Sequence, residues 1–136
     1  MAKNILVIGD TIIDDSIFTD AIGLSLESPT LKTELTSREI EYGGAANVVK
    51  NIIHLGSECT FITSGEVKLP KVSLINLQGN PARKMRVWVR RGDSDYKYIQ
   101  VNENSSGAID VFEDWKLIDE HDLVVLCDYG HGVLSS

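Results

Sequence analysis

Four short, continuous apolar segments constrain the fold of this chain more than any other feature. Each is rich in β-branched and aliphatic residues, and the first closes with Gly9-Asp10. Such runs are typical of strands that are buried on both faces of a parallel sheet. We therefore predict an α/β fold with four parallel strands, at residues 5–8, 59–63, 72–76 and 122–128.

An amphipathic helix is predicted between the first two of these runs. Six apolar residues recur at spacings of three and four and form one face, and Gly56 follows as a stop signal. A second, weaker helix is predicted over 111–121, with Phe112, Trp115 and Leu117 or Ile118 facing inward. Strand, helix, strand is the unit that builds α/β sheets. The apolar face of the first helix contains Ala45, Val48, Val49, Ile52, Ile53 and Leu55.

Two further regions have the alternating pattern of antiparallel strands with one face in water. One comprises residues 12–18 and 31–42, and the other is a predicted hairpin over 82–103 around a turn-rich RGDSD sequence. Successive residues of a strand point to opposite faces, so the hairpin should be aliphatic on one face and cationic and aromatic on the other. We predict Met85, Val87 and Val89 on the first face, and Arg86, Trp88 and Arg90 on the second.

Charge and length limit the possible functions. The 136 residues correspond to one domain, without an internal repeat or a credible linker. A formal net charge of −7 argues against a nucleic-acid partner or an anionic membrane surface, since both require clustered cations. We interpret the basic residues at 83–91 as a charged strand pair facing water.

The two cysteines and the first residues bear on localisation. Cys59 and Cys127 each lie within an apolar run, as expected of buried thiols in a reducing compartment. The first ten residues contain one Lys and a very short apolar segment that ends in Asp, unlike a signal peptide or a membrane span. We therefore expect a cytoplasmic protein.

Two adjacent glycines, Gly43 and Gly44, precede the first helix. Helix starts present unpaired N–H groups and a partial positive charge, so glycines there let an oxygen-rich ligand approach closely. Asn47, one turn further on, adds an amide that donates and accepts hydrogen bonds. Alternatively, the glycines only permit a tight strand-to-helix turn. Neither GxGxxG nor GxxxxGK[ST] is present, so the usual dinucleotide and P-loop signals are missing.

Two carboxylates follow the first strand. Asp10 lies just past its carboxyl end, where open α/β sheets bind their ligands, and Asp14 follows four residues later. Carboxylates accept hydrogen bonds from sugar hydroxyls, whereas two of them would repel a phosphate. Together with the Gly43-Gly44 helix start, they suggest a polyol site, although a strand-end Asp is often only a cap.

The segments ILVIGDTIIDD, YGGAANVVKNIIHLG, RKMRVWVRR and VVLCDYGHGVLS resemble the amino-terminal half of the ribokinase-like (PfkB) carbohydrate kinases, most closely bacterial heptose 7-phosphate kinases. The resemblance implies a single partial α/β domain over 1–136 with inserted β-lid strands at about 12–42 and 84–102. It further implies sugar contacts from Asp14, Gly43, Gly44 and Asn47, with Lys84 and Arg86 on lid strands near the sugar and Asp128 ending a core strand at the cleft.

The chain departs from this family in several places. Only SGEVKLPK separates Thr63 from VSLIN, which indicates that a helix and strand are deleted. Gln100-Val101-Asn102 stands where heptose kinases tend to carry Arg-x-Asp, and His131 stands where Lys is common. The identity of the sugar therefore stays open. The family's Gly-Ala-Gly-Asp motif, which supplies the anion hole and the base, has no counterpart before Ser136.

We therefore predict no catalytic residue and no bound metal in this chain, with ATP and Mg²⁺ bound only if a carboxyl-terminal kinase half completes it. Asp128 or His131 is a conceivable substitute base. Three functions remain open: a sugar-binding kinase half, a non-catalytic assembly module, and a small nucleotide binder. We also expect a homodimer through the lid, with 12–18 and 84–102 in the interface.

Overall fold

The computed structural model describes residues 3–105 and 116–134. This part of the chain contains eight strands and two helices, and it divides into two compact units. The first unit comprises the residues up to Ile12, Tyr42–Ala82 and those from Asn104 onward; the second comprises Ile13–Glu41 and Arg83–Glu103. The elements are β1 (Asn4–Gly9), β2 (Thr11–Leu24), β3 (Leu31–Gly44), α1 (Ala45–His54), β4 (Glu58–Ser64), β5 (Ser73–Leu77), β6 (Ala82–Arg91), β7 (Ser94–Glu103), α2 (Lys116–Asp119) and β8 (Leu123–Cys127).

The first unit is built on a parallel sheet in the order β5-β4-β1-β8. β1 pairs with β4 on one side and with β8 on the other. Ile5 of β1 lies opposite Cys59 of β4 and Leu123 of β8. β5 pairs in parallel with β4. The four predicted strands are thus confirmed within one or two residues of their expected bounds, and the predicted fold class is confirmed with them.

Apolar residues on the two faces of this sheet form two core clusters. On one face, Val7 and Phe61 are fully buried against Ala46 and Val49 of α1. On the other face, a cluster of three buried residues packs against Leu117 and Ile118 of α2 and against Val133 and Leu134. Burial on both faces explains why β1 is a continuous apolar run. The three residues of the second cluster are Leu6, Ile8 and Ile62.

The two helices agree with the prediction except at their ends. Ala45, Val49 and Ile52 of α1 are buried as expected, and Val48 and Ile53 are partly buried; Ala46 is also buried, although it was not predicted on that face. Leu55 was predicted on the same face, but it follows the last helical residue and is 84% exposed. α2 is described from Lys116, and the predicted contacts of Phe112 and Trp115 lie outside the described residues.

The connection from β4 to β5 is short for a parallel pair. Such pairs usually require a dozen or more residues, commonly a helix, to cross over. Here residues 65–72 contain no helix or strand. Val67 is 4% exposed and joins the α1-side core cluster, against which Leu69 also packs. This loop therefore contributes to the core on the α1 face, and the absence of a helix at this point agrees with the sequence-based expectation.

The second unit contains a sheet in the order β3-β2-β6-β7, in which β6 and β7 form the predicted antiparallel hairpin. Directly opposed residues share a face. Met85, Val87 and Val89 lie opposite Val101, Ile99 and Tyr96, and we call these six residues the apolar face. Lys84, Arg86, Trp88 and Arg90 lie opposite Asn102, Gln100, Lys97 and Asp95, and we call these eight residues the polar face.

Gly44 has two structural reasons to be glycine. Its φ of 60° is in the left-handed region, and a Cβ atom there would meet the Asp10 carbonyl oxygen at 2.5 Å. Gly56 has a φ of +83°, but a Cβ there would meet nothing within 4 Å. We expect Gly44→Ala to lower the free energy of unfolding by more than ~2 kcal/mol, and Gly56→Ala by about 1–2 kcal/mol, the cost of the left-handed backbone alone. Urea unfolding of both variants measures the difference, and equal losses would show that the contact with Asp10 is unimportant.

Both cysteines are buried, as predicted. Cys59 and Cys127 are 4% and 8% exposed. Burial raises the pKa of the Cys59 thiol to about 11 and also raises the pKa of Cys127. The thiolate is the reactive form of cysteine, so both side chains behave as small apolar core residues at neutral pH.

Candidate functional site

Asp10 lies at the carboxyl edge of the first sheet, as predicted, but its carboxylate is 1% exposed. Its Oδ2 atom accepts hydrogen bonds from the backbone N–H groups of Tyr129 and His131, at 2.9 and 3.1 Å, and its Oδ1 atom accepts one from Val133 at 2.9 Å. The side chain predicted to bind sugar is therefore engaged with the protein's own backbone.

The start of α1 is joined to the same residue. The backbone N–H of Ala45 donates to the Asp10 carbonyl at 2.9 Å, and the N-cap residue Gly44 makes no side-chain cap. Gly43 is buried, whereas Asn47 is exposed and its Oδ1 lies 3.4 Å from Lys50 Nζ. The tight-turn interpretation accounts for Gly44 without a ligand, and sugar contacts from Gly43, Gly44 and Asn47 stay predictions.

Asp128 directly follows the last residue of β8, at the same edge of the sheet as Asp10. It is exposed, and its Oδ1 accepts the backbone N–H of Gly130 at 2.8 Å. Gly130 and Gly132 have φ values of 73° and 101°, so they turn the chain where other residues would be strained. Asp128 and the half-buried His131 thus lie on a short loop, residues 128–134, that closes on Asp10.

In the second unit, the structure brings together Asp14 and Arg86. Arg86 Nη1 donates to Asp14 Oδ1 at 2.7 Å, and the side chains of Arg86 and Asp14 are 24% and 34% exposed. A charge-assisted hydrogen bond of this length holds the carboxylate firmly while part of it stays accessible to water. Lys84 lies two residues before Arg86 on the same polar face.

Two amides extend this polar face onto β7. Gln100 lies opposite Arg86 and Asn102 lies opposite Lys84. Gln100 Nε2 donates to Asn102 Oδ1 at 2.9 Å, so the two amides support each other's orientation. The Asp14–Arg86 pair therefore lies beside Lys84 and the two amides, a combination that suits hydroxyl and phosphate oxygens.

Sequence reasoning missed a buried carboxylate beside Asp14. Asp15 is fully buried, and it accepts two hydrogen bonds from Arg38, at 2.8 and 2.6 Å, and one from Arg83 at 2.8 Å. Hydrogen bonds from Arg38 lower the pKa of Asp15, burial opposes this effect, and Arg83 lowers it further. The sequence did contain a signal for this residue. Asp15 directly follows Asp14 in a predicted strand, so its side chain must point to the opposite face.

The predicted site residues thus fall into two sets. Asp10, Gly43, Gly44, Asn47 and Asp128 belong to the first unit, and within it Asp10 contacts the start of α1 and the 128–134 loop. Asp14, Lys84 and Arg86 belong to the second unit. Among residues 3–105 and 116–134, no group of three His, Cys, Asp or Glu side chains is arranged to hold a metal ion. No helix in that same part of the chain is long and apolar enough to cross a membrane.

Comparison with known proteins connects the chain to sugar kinases. No known protein-family model matches it. It is 29% identical over 153 residues to the bifunctional protein HldE of a Nitratiruptor species, covering 99% of this chain and 33% of that protein. It is also 29% identical over 153 residues to the D-beta-D-heptose 7-phosphate kinase of Bordetella bronchiseptica, covering 96% of this chain and 47% of the relative. The chain therefore spans a third to a half of the length of these relatives.

Solved structures agree on the fold. Escherichia coli phosphofructokinase-2, solved in complex with fructose-6-phosphate, matches 93% of this chain and 45% of its own with a TM-score of 0.53 at 17% identity. A carbohydrate kinase from Agrobacterium tumefaciens matches 74% of this chain and 35% of its own, with a TM-score of 0.50 at 20% identity. At these identities the similarity shows the fold alone.

The fold is that of the PfkB-type, ribokinase-like sugar kinases. By sequence, the chain is a homologue of the amino-terminal, ribokinase-like part of HldE and D-beta-D-heptose 7-phosphate kinase, so the predicted resemblance is confirmed.

Proposed function

We propose that this chain is the acceptor-binding part of a sugar-phosphate kinase and that it binds a phosphorylated sugar through the carboxylate of Asp14. The observation that carries the proposal is the 2.7 Å contact between Asp14 and Arg86, which orients a partly exposed carboxylate. A carboxylate held in this way accepts hydrogen bonds from sugar hydroxyls without first having to be ordered.

The surrounding polar face supports a phosphorylated ligand in particular. Lys84 and Arg86 add two positive charges, and Gln100 and Asn102 add amide donors and acceptors on the same face. The relatives' names and the phosphofructokinase-2 complex point to heptose 7-phosphate and fructose 6-phosphate as ligands to test. Sugar contacts from Gly43, Gly44, Asn47 and Asp128 stay predictions, as does a cytoplasmic location.

Phosphoryl transfer requires a positioned nucleotide, stabilisation of the developing charge, and a base near the acceptor hydroxyl. Among the described residues no group of three potential metal ligands comes together, and the sequence contains no P-loop. We propose that ATP and Mg²⁺ are bound by a carboxyl-terminal kinase half of the family fold.

We expect the 136-residue chain to release no substrate-dependent ADP when it is mixed with ATP, Mg²⁺ and either heptose 7-phosphate or fructose 6-phosphate. A coupled ADP assay measures this outcome. The control is the same chain in a calorimeter with the sugar phosphate alone, where we expect binding. Sugar-dependent ADP release that disappears in Asp128→Ala would contradict the proposal, since it would identify a base within this chain.

A second candidate function, dimeric assembly, is favoured by the apolar face of the second sheet. Tyr96, Ile99 and Val101 are 59%, 48% and 45% exposed on that face. Apolar side chains grouped on one face of a small sheet are typical of interaction surfaces. We propose that a second copy of this chain covers the face and forms a two-fold symmetric dimer, with residues 12–18 and 84–102 in the interface.

Trp88 lies on the polar face, so a variant of the apolar face is the better test of the dimer. Trp88 stacks on Phe18 at the polar face, with ring centroids 6.2 Å apart, so changing it would disturb that face. We expect Ile99→Glu, on the apolar face, to convert dimers into monomers, and Lys32→Glu, an exposed residue outside 12–18 and 84–102, to leave them intact. Light scattering at tens of micromolar distinguishes the two, and a monomeric wild-type chain would contradict dimer formation.

A further inference from the structure

The two edges of the parallel sheet expose different kinds of residue. Among the described strands β5 and β8 are the outer ones, and in each the first and fourth residues are exposed. In β5 these residues are Ser73 and Asn76, which are polar. In β8 they are Leu123 and Leu126, which are 53% and 63% exposed. Edge strands that face water usually carry polar or charged residues, which prevent unwanted pairing. β5 therefore has the sequence of a finished edge, whereas β8 does not.

The two exposed leucines of β8 lie on opposite faces of the sheet. They are three residues apart, and successive residues of a strand alternate between the faces. The residues between them are anchored, since Val124 packs against the cluster of Leu6, Ile8 and Ile62, and Val125 packs against the α1-side cluster. A helix or loop on one face would cover only one leucine. A strand paired alongside β8 would cover both, because its own side chains alternate in the same way.

The charges at the ends of β8 argue against a second copy of this chain as that strand. Asp122 and Asp128 flank β8, three residues on either side of Val125. In the antiparallel register that pairs all five residues of β8 with a second copy, each Asp122 lies opposite an Asp128. In a two-fold parallel pair, identical residues lie side by side. Like charges directly opposed on paired strands are destabilising, and Lys3 offsets only the charge of Asp122.

We propose that the outer edge of β8 is a docking edge for a parallel strand of the carboxyl-terminal kinase half. All the pairs in this sheet are parallel, so a further parallel strand continues its pattern. The chain spans a third to a half of the length of its relatives, which leaves them enough polypeptide to supply such a strand. Backbone bonds to β8 would provide affinity, and the two leucines would provide specificity. The inference rests on the proposed function for the identity of the partner, but its test requires no sugar.

The probe is the part of the Bordetella bronchiseptica D-beta-D-heptose 7-phosphate kinase that follows the matched region. We expect this polypeptide, co-expressed with the 136-residue chain, to form a complex with equal numbers of the two. Leu126→Lys should weaken the complex at least tenfold, because it replaces an apolar contact with a charge. Asn76→Lys, at the same position of the opposite edge strand, is the matched control and should leave the affinity unchanged. Analytical ultracentrifugation measures both affinities.

Hydrogen exchange locates the contact. Amides of β8 should exchange at least tenfold more slowly in the complex than in the free chain, whereas those of β5 should not change. Leu126→Lys alone should be folded by circular dichroism and should keep the oligomeric state of the wild type, since the proposed dimer uses the second sheet. If it does not fold, Leu123→Lys, at the other exposed leucine, replaces it.

Three results would overturn the inference: no complex with the wild-type chain at tens of micromolar, equal weakening by the two lysine variants, or protection that appears at β5 instead of β8. Loss of wild-type dimers in Leu126→Lys would also overturn it, because a second copy would then occupy the edge. Sugar-phosphate binding by the chain alone is a separate readout. A chain that forms the complex through β8 but binds neither sugar phosphate would contradict the proposed function and support the docking edge.

Discussion

Asp15→Asn should lower the free energy of unfolding by about 2–4 kcal/mol, the largest stability effect that we expect from a single polar side chain in this protein. Asp15 is fully buried and holds Arg38 and Arg83, which belong to β3 and β6 on either side of β2. The asparagine would leave two guanidinium groups without their carboxylate. The side chains of Arg38 and Arg83 are 45% and 29% exposed, so water can replace part of the lost hydrogen bonding. We therefore expect a smaller loss than for a fully buried ion pair.

Asp95→Asn is the matched control. Asp95 also pairs with an arginine of the same sheet, Arg90 at 3.2 Å, but the two side chains are 34% and 54% exposed, so we expect a loss below about 1 kcal/mol. Urea unfolding followed by circular dichroism and tryptophan fluorescence measures both variants. Equal, small losses would show that the buried cluster contributes no more than a surface pair.

The same cluster predicts a pH dependence. Because the pKa of Asp15 is lower in the folded protein than its ordinary value of 3.8, the folded state is favoured above that value, and the benefit is lost as the pH falls through the folded pKa. The stability difference between wild type and Asp15→Asn should therefore be constant near neutral pH and narrow as the pH falls below about 4. A difference that widens in acid would contradict the assignment.

Asp14→Asn should weaken binding of a sugar phosphate by about 10- to 100-fold, since hydrogen bonds to a charged acceptor contribute roughly 1.5–3 kcal/mol. The amide keeps the shape of the side chain and an oxygen that can still accept from Arg86. We therefore expect little change in the urea midpoint, in contrast to Asp15→Asn.

Asp95→Asn again serves as the control, because it removes a carboxylate charge from the same polar face at the far end of the hairpin. Calorimetry with the two sugar phosphates should give wild-type affinity for this variant. Equal weakening in Asp14→Asn and Asp95→Asn would indicate a general effect of charge on ligand binding rather than a contact at Asp14.

Local pattern was sufficient to predict the sheet and the hairpin. Continuous apolar runs located β1, β4, β5 and β8, because burial on both faces removes polar residues from a strand. Alternation located β6 and β7 and assigned the faces of β6 correctly, but it did not predict the register shift between Val87 and Trp88. The position of Leu55 was wrong because periodicity does not show where a helix ends, and Leu55 lies one residue past the end of α1.

Side-chain partners were harder to predict because they depend on which strands are neighbours. Arg38 and Arg83 are far apart in sequence and meet at Asp15 only because β3 and β6 flank β2. Likewise, the edge position of Asp10 was predicted, but its bonds to the 128–134 loop follow from the pairing of β1 with β8. Hydrophobic pattern carries no information about such long-range polar contacts.

The central claim is that this chain binds a phosphorylated sugar through Asp14. Titration of the 136-residue chain with heptose 7-phosphate and with fructose 6-phosphate in a calorimeter tests it most directly. We predict saturable heat with at least one of the two ligands, with a dissociation constant below millimolar. Asp14→Asn should weaken this binding tenfold or more. No heat with either ligand up to several millimolar, from a chain shown to be folded by circular dichroism, would contradict the claim.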